Sequence, residues 1–166
     1  MNRFPYRDHD NCVKDNPNFA RQNQQNMIFA EPMKQHISAV TLLVPDYDKA
    51  IAYYVGRLGF RLVEDTPLSN TKRWVVVAPP GSSETGLLLA QTDSRDQREA
   101  IGNQTGGRVF LILKTDGFDR DYAWFKQAGI KFLEEPRMEP CGKVVVFQDV
   151  FGNKWDLIEP LAKQPR

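Results

Sequence analysis

A chain of 166 residues is sized for one domain, or for two small modules sharing a core. Its 22 Lys and Arg against 21 Asp and Glu leave a formal charge of +1 with no basic block, which excludes a dedicated nucleic-acid surface. No apolar run approaches the roughly 18 residues of a membrane span, no apolar segment opens the chain as a secretory signal would, and Cys12 and Cys141 lack metal-binding spacing, so reduced thiols in a cytoplasmic protein are expected.

Residues 1–33 read as a polar extension. The stretch NCVKDNPNFARQNQQN is rich in Asn and Gln and shows neither helical nor strand period. Only Tyr6, Phe19, Ile28 and Phe29 could anchor it, so a mobile or loosely docked segment is expected. The fold is expected over 34–160. Ala39–Val44 is long enough for a strand and too short for a helix. Pro45 stops it, and Asp46 is placed to cap a helix by accepting from its first free N–H groups. Ile51, Tyr54, Val55 and Leu58 recur at a spacing that puts them on one helical face, and Gly59 supplies a left-handed exit. Phe60 to Leu62 alternates like a half-buried strand, and EDTPLSNTK follows as a loop or arm. Two apolar runs, Arg73–Ala78 and Gly86–Gln91, then flank the turn PPGSSET.

The same grammar returns from Arg108. Asp46 matches Asp116, Tyr54 matches Trp124, Val55 matches Phe125, Gly59 matches Gly129 and Leu62 matches Phe132. Phe118, Tyr122, Phe125 and Ala128 form the apolar helical face, EEPRMEPCG is a turn-rich arm, and Lys143–Gln148 and Lys154–Glu159 flank DVFGN. One supersecondary unit is used twice, each copy β-α-β-β-β. Module one spans 34–91 and module two 108–160, with 92–107 as linker and candidate lid and 161–166 as a tail. The expected fold class is α+β: two tandem βαβββ modules forming a curved, partly closed mixed sheet with helices outside.

Paired βαβββ modules carrying VPDYDKAIAYYVGRLGF in the first and VFQDVFGNKWDLIEP in the second resemble the glyoxalase, bleomycin-resistance and extradiol-dioxygenase superfamily, the vicinal oxygen chelate proteins. The resemblance runs from about Lys34 to Pro160 and is specific for fold. It leaves function open, since such a superfamily spans enzymes and binding proteins. It implies a ligand or metal trough on the concave wall of the strands, and a homodimer. In metal-dependent members four strand positions supply His, Glu or Gln ligands. Those positions fall here at Ala39 (Val40 if the register slips by one), near Leu88, at Phe110 and at Asp156. Only Asp156 is a metal donor, and neither His9, in the polar extension, nor His36, on the opposite strand face, repairs the set.

Strand parity places Ala39, Thr41 and Leu43, then Phe110, Ile112 and Lys114, then Lys154, Asp156 and Ile158 toward the trough. Trp155 and Leu157 face the helix. Arg73 and Trp74 cannot both face the trough; Arg73 suits a forked contact to an anion or a plain surface charge, and Trp74 suits stacking. Gln148 stands at the mouth, either as a ligand contact or a solvated strand end. Asp156 is a weak candidate base, or a partner for Lys154 or Arg73. Asp149 and Asn153 belong to the DVFGN turn. The expected ligand-binding set is Thr41, Arg73, Trp74, Phe110, Gln148, Lys154 and Asp156, with no metal and no cofactor. The expected function is binding of a small organic molecule by a homodimer, with neither nucleic acid nor membrane as partner. The alternative is a divalent-metal-dependent lyase, isomerase or dioxygenase-like enzyme with an altered ligand set.

Overall fold

The computed structural model describes residues 34–161, so the polar extension and most of the tail, with His9 and Cys12, lie outside the described residues. Strand β1 (Ala39–Val44) leads through Pro45 into helix α1 (Tyr47–Gly56). Asp46 caps that helix as its position predicts, its Oδ1 accepting from the Lys49 N–H at 2.8 Å. Strands β2 (Arg61–Pro67), β3 (Arg73–Ala78) and β4 (Gly86–Gln91) complete the first unit. β1 pairs with β4 in parallel, β3 lies antiparallel between β4 and β2, and the sheet order is β1-β4-β3-β2.

The second unit repeats the order. β5 (Leu111–Lys114) runs parallel to β9 (Lys154–Pro160), which pairs with β8 (Gly142–Gln148), and the short β6 (Lys131–Phe132) and β7 (Arg137–Glu139) both pair with β8. β6 and β7 are one strand interrupted. Pro136 has no N–H to give to a ladder, and at the break the Glu134 carboxylate accepts from the Val146 N–H at 3.0 Å in place of a backbone partner. The first unit meets the same need for curvature with a bulge between Leu62 and Glu64. The architecture is α+β, with two open mixed sheets and no closed barrel.

Three segments differ from the sequence reading. EDTPLSNTK is strand as far as Pro67, an exposed edge, because pairing with β3 supplies the ladder that its polar side chains do not advertise. The arm EEPRMEPCG contains β7 for the same reason. Within 92–107 lies helix α2 (Arg95–Ala100), whose Ser94 hydroxyl accepts from the Gln97 N–H while Gln97 Oε1 accepts from the Asp93 N–H. The Ser-x-x-Gln spacing is a helix-start signal present in the sequence, although Gln97 reaches one residue past the Ser94 cap.

The repeat is not exact at the second helix, α3 (Phe118–Gln127). Asp116 does not cap it. Gly117 holds the cap position without a side chain, Glu159 of β9 accepts from the Phe118 N–H at 2.8 Å, and Asp116 pairs with Arg120.

One hydrophobic core draws on both units: Leu42, Val44, Tyr54, Val75, Val77 and Leu89 from the first, Phe118, Phe125, Val145, Phe147, Trp155 and Leu157 from the second. Tyr54 is fully buried. Its ring lies 6.2 Å from Trp155, and Phe60 meets Trp155 edge-on at 6.1 Å. Such aromatic contacts add about 0.5–1.5 kcal/mol each beyond burial. The matching residue of α3, Trp124, is instead 55 % exposed and donates its indole N–H to the Arg57 carbonyl.

Candidate functional site

Each sheet turns one face to its helix and the core and leaves the other free of helices. On β9 the buried Trp155 and Leu157 alternate with the half-buried Lys154, Asp156 and Ile158. On β8 the same rule separates Val145 and Phe147 from Val146 and Gln148. Asp156 stands opposite Val146 in the antiparallel ladder and beside Ile112 in the parallel one. In the first sheet Thr41, Leu88 and Val76 form a row on the helix-free face, with Trp74 next to it opposite Thr66.

The residues singled out by sequence divide between these surfaces. Gln148, Lys154 and Asp156 share the helix-free face of the second sheet. Gln148 is tied down, donating to the Gly152 carbonyl at 3.0 Å and accepting from Lys131 Nζ. Lys154 Nζ donates to the Gly107 carbonyl at 2.9 Å. Phe110 sits just before β5, donating its N–H to the Lys154 carbonyl, with its half-buried ring packed against the core rather than open to ligand. Thr41 and Trp74, the latter 40 % exposed, lie on the helix-free face of the first sheet. Gln104 clasps the outer edge of β1, accepting from the Leu43 N–H at 2.8 Å and donating to the Thr41 carbonyl at 3.3 Å.

Arg73 points the other way. Its guanidinium forms a fork with Asp65, bonds Asp48 at 2.7 Å and lies 5.3 Å from the Tyr47 ring centre. These two carboxylates hold the Arg73 pKa above its usual value, and Arg73 in turn lowers that of Asp65. The pairing left open between Asp156 and Arg73 or Lys154 is not formed: both cations have other partners.

Asp156 is therefore alone. Its Oδ1 is shut from solvent and has no hydrogen-bond partner. Burial raises its pKa, opposed in part by the charge of Arg137.

Asp149 is more than a turn residue. Buried among the core aromatics, its carboxylate accepts from the Phe151 and Asn153 N–H groups and the Asn153 side chain, each at 2.9 Å, from the Tyr54 hydroxyl at 2.7 Å and from the Trp155 indole at 3.1 Å. The turn bonds are local and legible in DVFGN. The Tyr54 bond crosses 95 positions, and no local signal announces it.

A hollow of about 890 Å³ is lined from both modules, with Leu58, Phe60, Leu87, Ile112, Trp124 and Phe125 among its walls. None of the seven residues expected to bind ligand lines it. The four positions at which the family resemblance expects metal ligands fall at Ala39 (or Val40), near Leu88, at Phe110 and at Asp156. Three offer no side-chain donor, and among the described residues no three His, Cys, Asp or Glu side chains are grouped to hold an ion. This donor set does not fit a divalent centre.

The model of the Glyoxalase/Bleomycin resistance protein/Dioxygenase superfamily matches residues 36–157. The chain belongs to this superfamily. A superfamily-sized relative, an uncharacterized protein of Shewanella frigidimarina, is 52 % identical over 134 residues, covering 80 % of this chain and 99 % of its own. Among solved structures, a superfamily member from Sphaerobacter thermophilus is 32 % identical with a TM-score of 0.64, covering 76 % of this chain and 98 % of its own. TnmS3, an antibiotic binding protein from Streptomyces sp. CB03234, is 30 % identical with a TM-score of 0.63, covering 78 % of this chain and 99 % of its own.

Proposed function

We propose that this superfamily member binds a small, partly apolar organic molecule on the helix-free face of its sheets, as a cytoplasmic homodimer and without a divalent metal. The observation that carries the reading is the surface around Asp156: a wall made of Ile112, Val146 and Ile158, in which a single carboxylate is held without a partner. Ligand sites are mostly apolar with few polar anchors. The likeness to TnmS3, described as an antibiotic binding protein, supports binding rather than turnover. Among the described residues no helix is long and apolar enough to cross a membrane.

The dimer rests on apolar groups that a single chain leaves uncovered: Ile112 is 68 % exposed and Met138 65 %, and Leu62, Val63, Leu68 and Trp74 are exposed along the β2–β3 hairpin. A second copy laid over a helix-free face would turn an open wall into an enclosed site.

The test is a thermal-shift panel of small apolar and amphipathic compounds on protein purified without chelator, with metal content and solution mass measured on the same sample. The reading expects a mass of twice 19.0 kDa, no stoichiometric divalent ion, and at least one compound that raises Tm in proportion to log concentration. Ile112→Arg should abolish that shift. A stoichiometric ion lost on Asp156→Ala would move the assignment to a metal-dependent enzyme.

A further inference from the structure

Five cations, Lys114, Lys131, Arg137, Lys143 and Lys154, belong to strands of the sheet that holds Asp156, yet Asp156 is paired with none of them. Lys143 Nζ is held by Asp119. Lys154 Nζ is held by the Gly107 carbonyl and Lys131 Nζ by Gln148. Arg137 is the one cation close enough to bias Asp156, and its guanidinium is engaged by Glu134 and Glu139. Lys114 lies on β5 diagonally across from Asp156, opposite Ile158, and no ion pair joins the two. On the other flank β8 presents Val146, with Gln148 and Val144 two positions to either side. The direct ladder neighbours of the carboxylate, Ile112 and Val146, are thus apolar, and Lys131, Arg137, Lys143 and Lys154 each have a partner of their own.

An unpaired carboxylate in such a wall destabilises the empty protein. Burial disfavours the charged form, and a shut-in acceptor without a donor loses the hydrogen bonds that water gave it. A leucine or valine would pack there without that penalty. Violations of this kind concentrate where a ligand completes the missing contact. What completes this one must donate hydrogen bonds, because an ionised carboxylate only accepts. It must also carry apolar bulk for Ile112 and Val146, and a positive charge on the donor shortens and strengthens the bond.

We propose that the molecule taken up on this face is a lipophilic cation, an apolar body bearing a protonated amine, and that Asp156 is the residue that selects the amine. This inference rests on the binding reading above and narrows it to one class of ligand. The other half of the recognition is exclusion. An apolar carboxylic acid of the same shape would bring a second negative charge to Asp156, whose nearest compensating cation is already committed to two glutamates.

Three compounds of one shape separate these ideas: 1-naphthylmethylamine, 1-naphthylmethanol and 1-naphthoate, titrated at pH 7 against the full chain by calorimetry. The amine is expected to bind at least about tenfold more tightly than the alcohol, and the naphthoate least. Asp156→Asn keeps the shape and removes the charge, so it should lower amine affinity to that of the alcohol while leaving alcohol affinity unchanged. Melting of the variant reports that it is folded. Alcohol or naphthoate binding as tightly as the amine, or an amine indifferent to Asp156→Asn, overturns the cation assignment while leaving a binding face intact. No binding by any of the three, or binding that survives Ile112→Arg, overturns both the assignment and the face.

Discussion

Tyr54→Phe is the cleanest perturbation of the contact that ties the two modules together. It removes one hydroxyl and leaves the ring, so the packing of Tyr54 against Phe60 and Trp155 is preserved. What is lost is the 2.7 Å bond to the Asp149 carboxylate, which stays buried with its four remaining donors. A hydrogen bond to a charged group contributes about 1.5–3 kcal/mol. Four surviving bonds soften the loss, so about 2 kcal/mol is expected. For a domain of this size that is a fall in Tm of roughly 6–10 °C. The assay is urea unfolding followed by tryptophan fluorescence and far-UV circular dichroism together, which checks that both halves unfold in one transition. A double-mutant cycle with Asp149→Asn isolates the pairwise contribution, and a coupling above about 1 kcal/mol is expected. A loss below about 0.5 kcal/mol for Tyr54→Phe, with no coupling in the cycle, would show that the modules are held by apolar packing alone.

Asp156→Asn should raise Tm at pH 7. The folded-state pKa of Asp156 is raised by burial, so ionisation costs the folded protein stability above that pKa. The gain from the substitution should therefore fade as pH drops toward the ordinary value of 3.8, where the acid is protonated in the wild type too. Arg73→Ala works in the opposite sense. Arg73 lowers the pKa of Asp65, so the stability it contributes is present above 3.8 and disappears as pH falls below it. Both partners are accessible to water, so the loss at pH 7 should stay under about 1 kcal/mol, with naphthylmethylamine affinity unchanged because Arg73 faces the helix side. Gln104→Ala frees the edge groups of β1 that its amide now satisfies. Hydrogen exchange at the Leu43 amide should accelerate, and light scattering should report greater self-association, as an uncovered strand edge invites pairing.

Three strands of the first module were legible as short apolar runs set off by proline or glycine: β1 and β3 fall on Ala39–Val44 and Arg73–Ala78 as read, and β4 on Gly86–Gln91. Helix α1 was legible from its Asp46 cap and its apolar spacing. β2 was read only at its start, Phe60 to Leu62, and β7 not at all, since an edge strand of charged residues has no period-2 apolar signal and exists because a neighbour offers hydrogen bonds. Parity likewise put Lys154 and Asp156 on one face, and the structure adds Gln148, read only as standing at the mouth. Parity could not tell that Arg73 would be captured by Asp65 and Asp48 over Tyr47, because a guanidinium goes to whichever carboxylates the fold delivers.

Sequence alone determined the two-fold repeat, the Asp46 cap and the strand faces, which rest on local spacing, while the family resemblance marked metal positions that this sequence leaves poor in donors. Tertiary structure alone decided that Asp149 would join Tyr54 and Trp155 and that Asp156 would be left without a partner. Both are questions of which side chains meet across tens of residues in a medium where a buried charge must be answered, and that is settled only when the two sheets close on a common core.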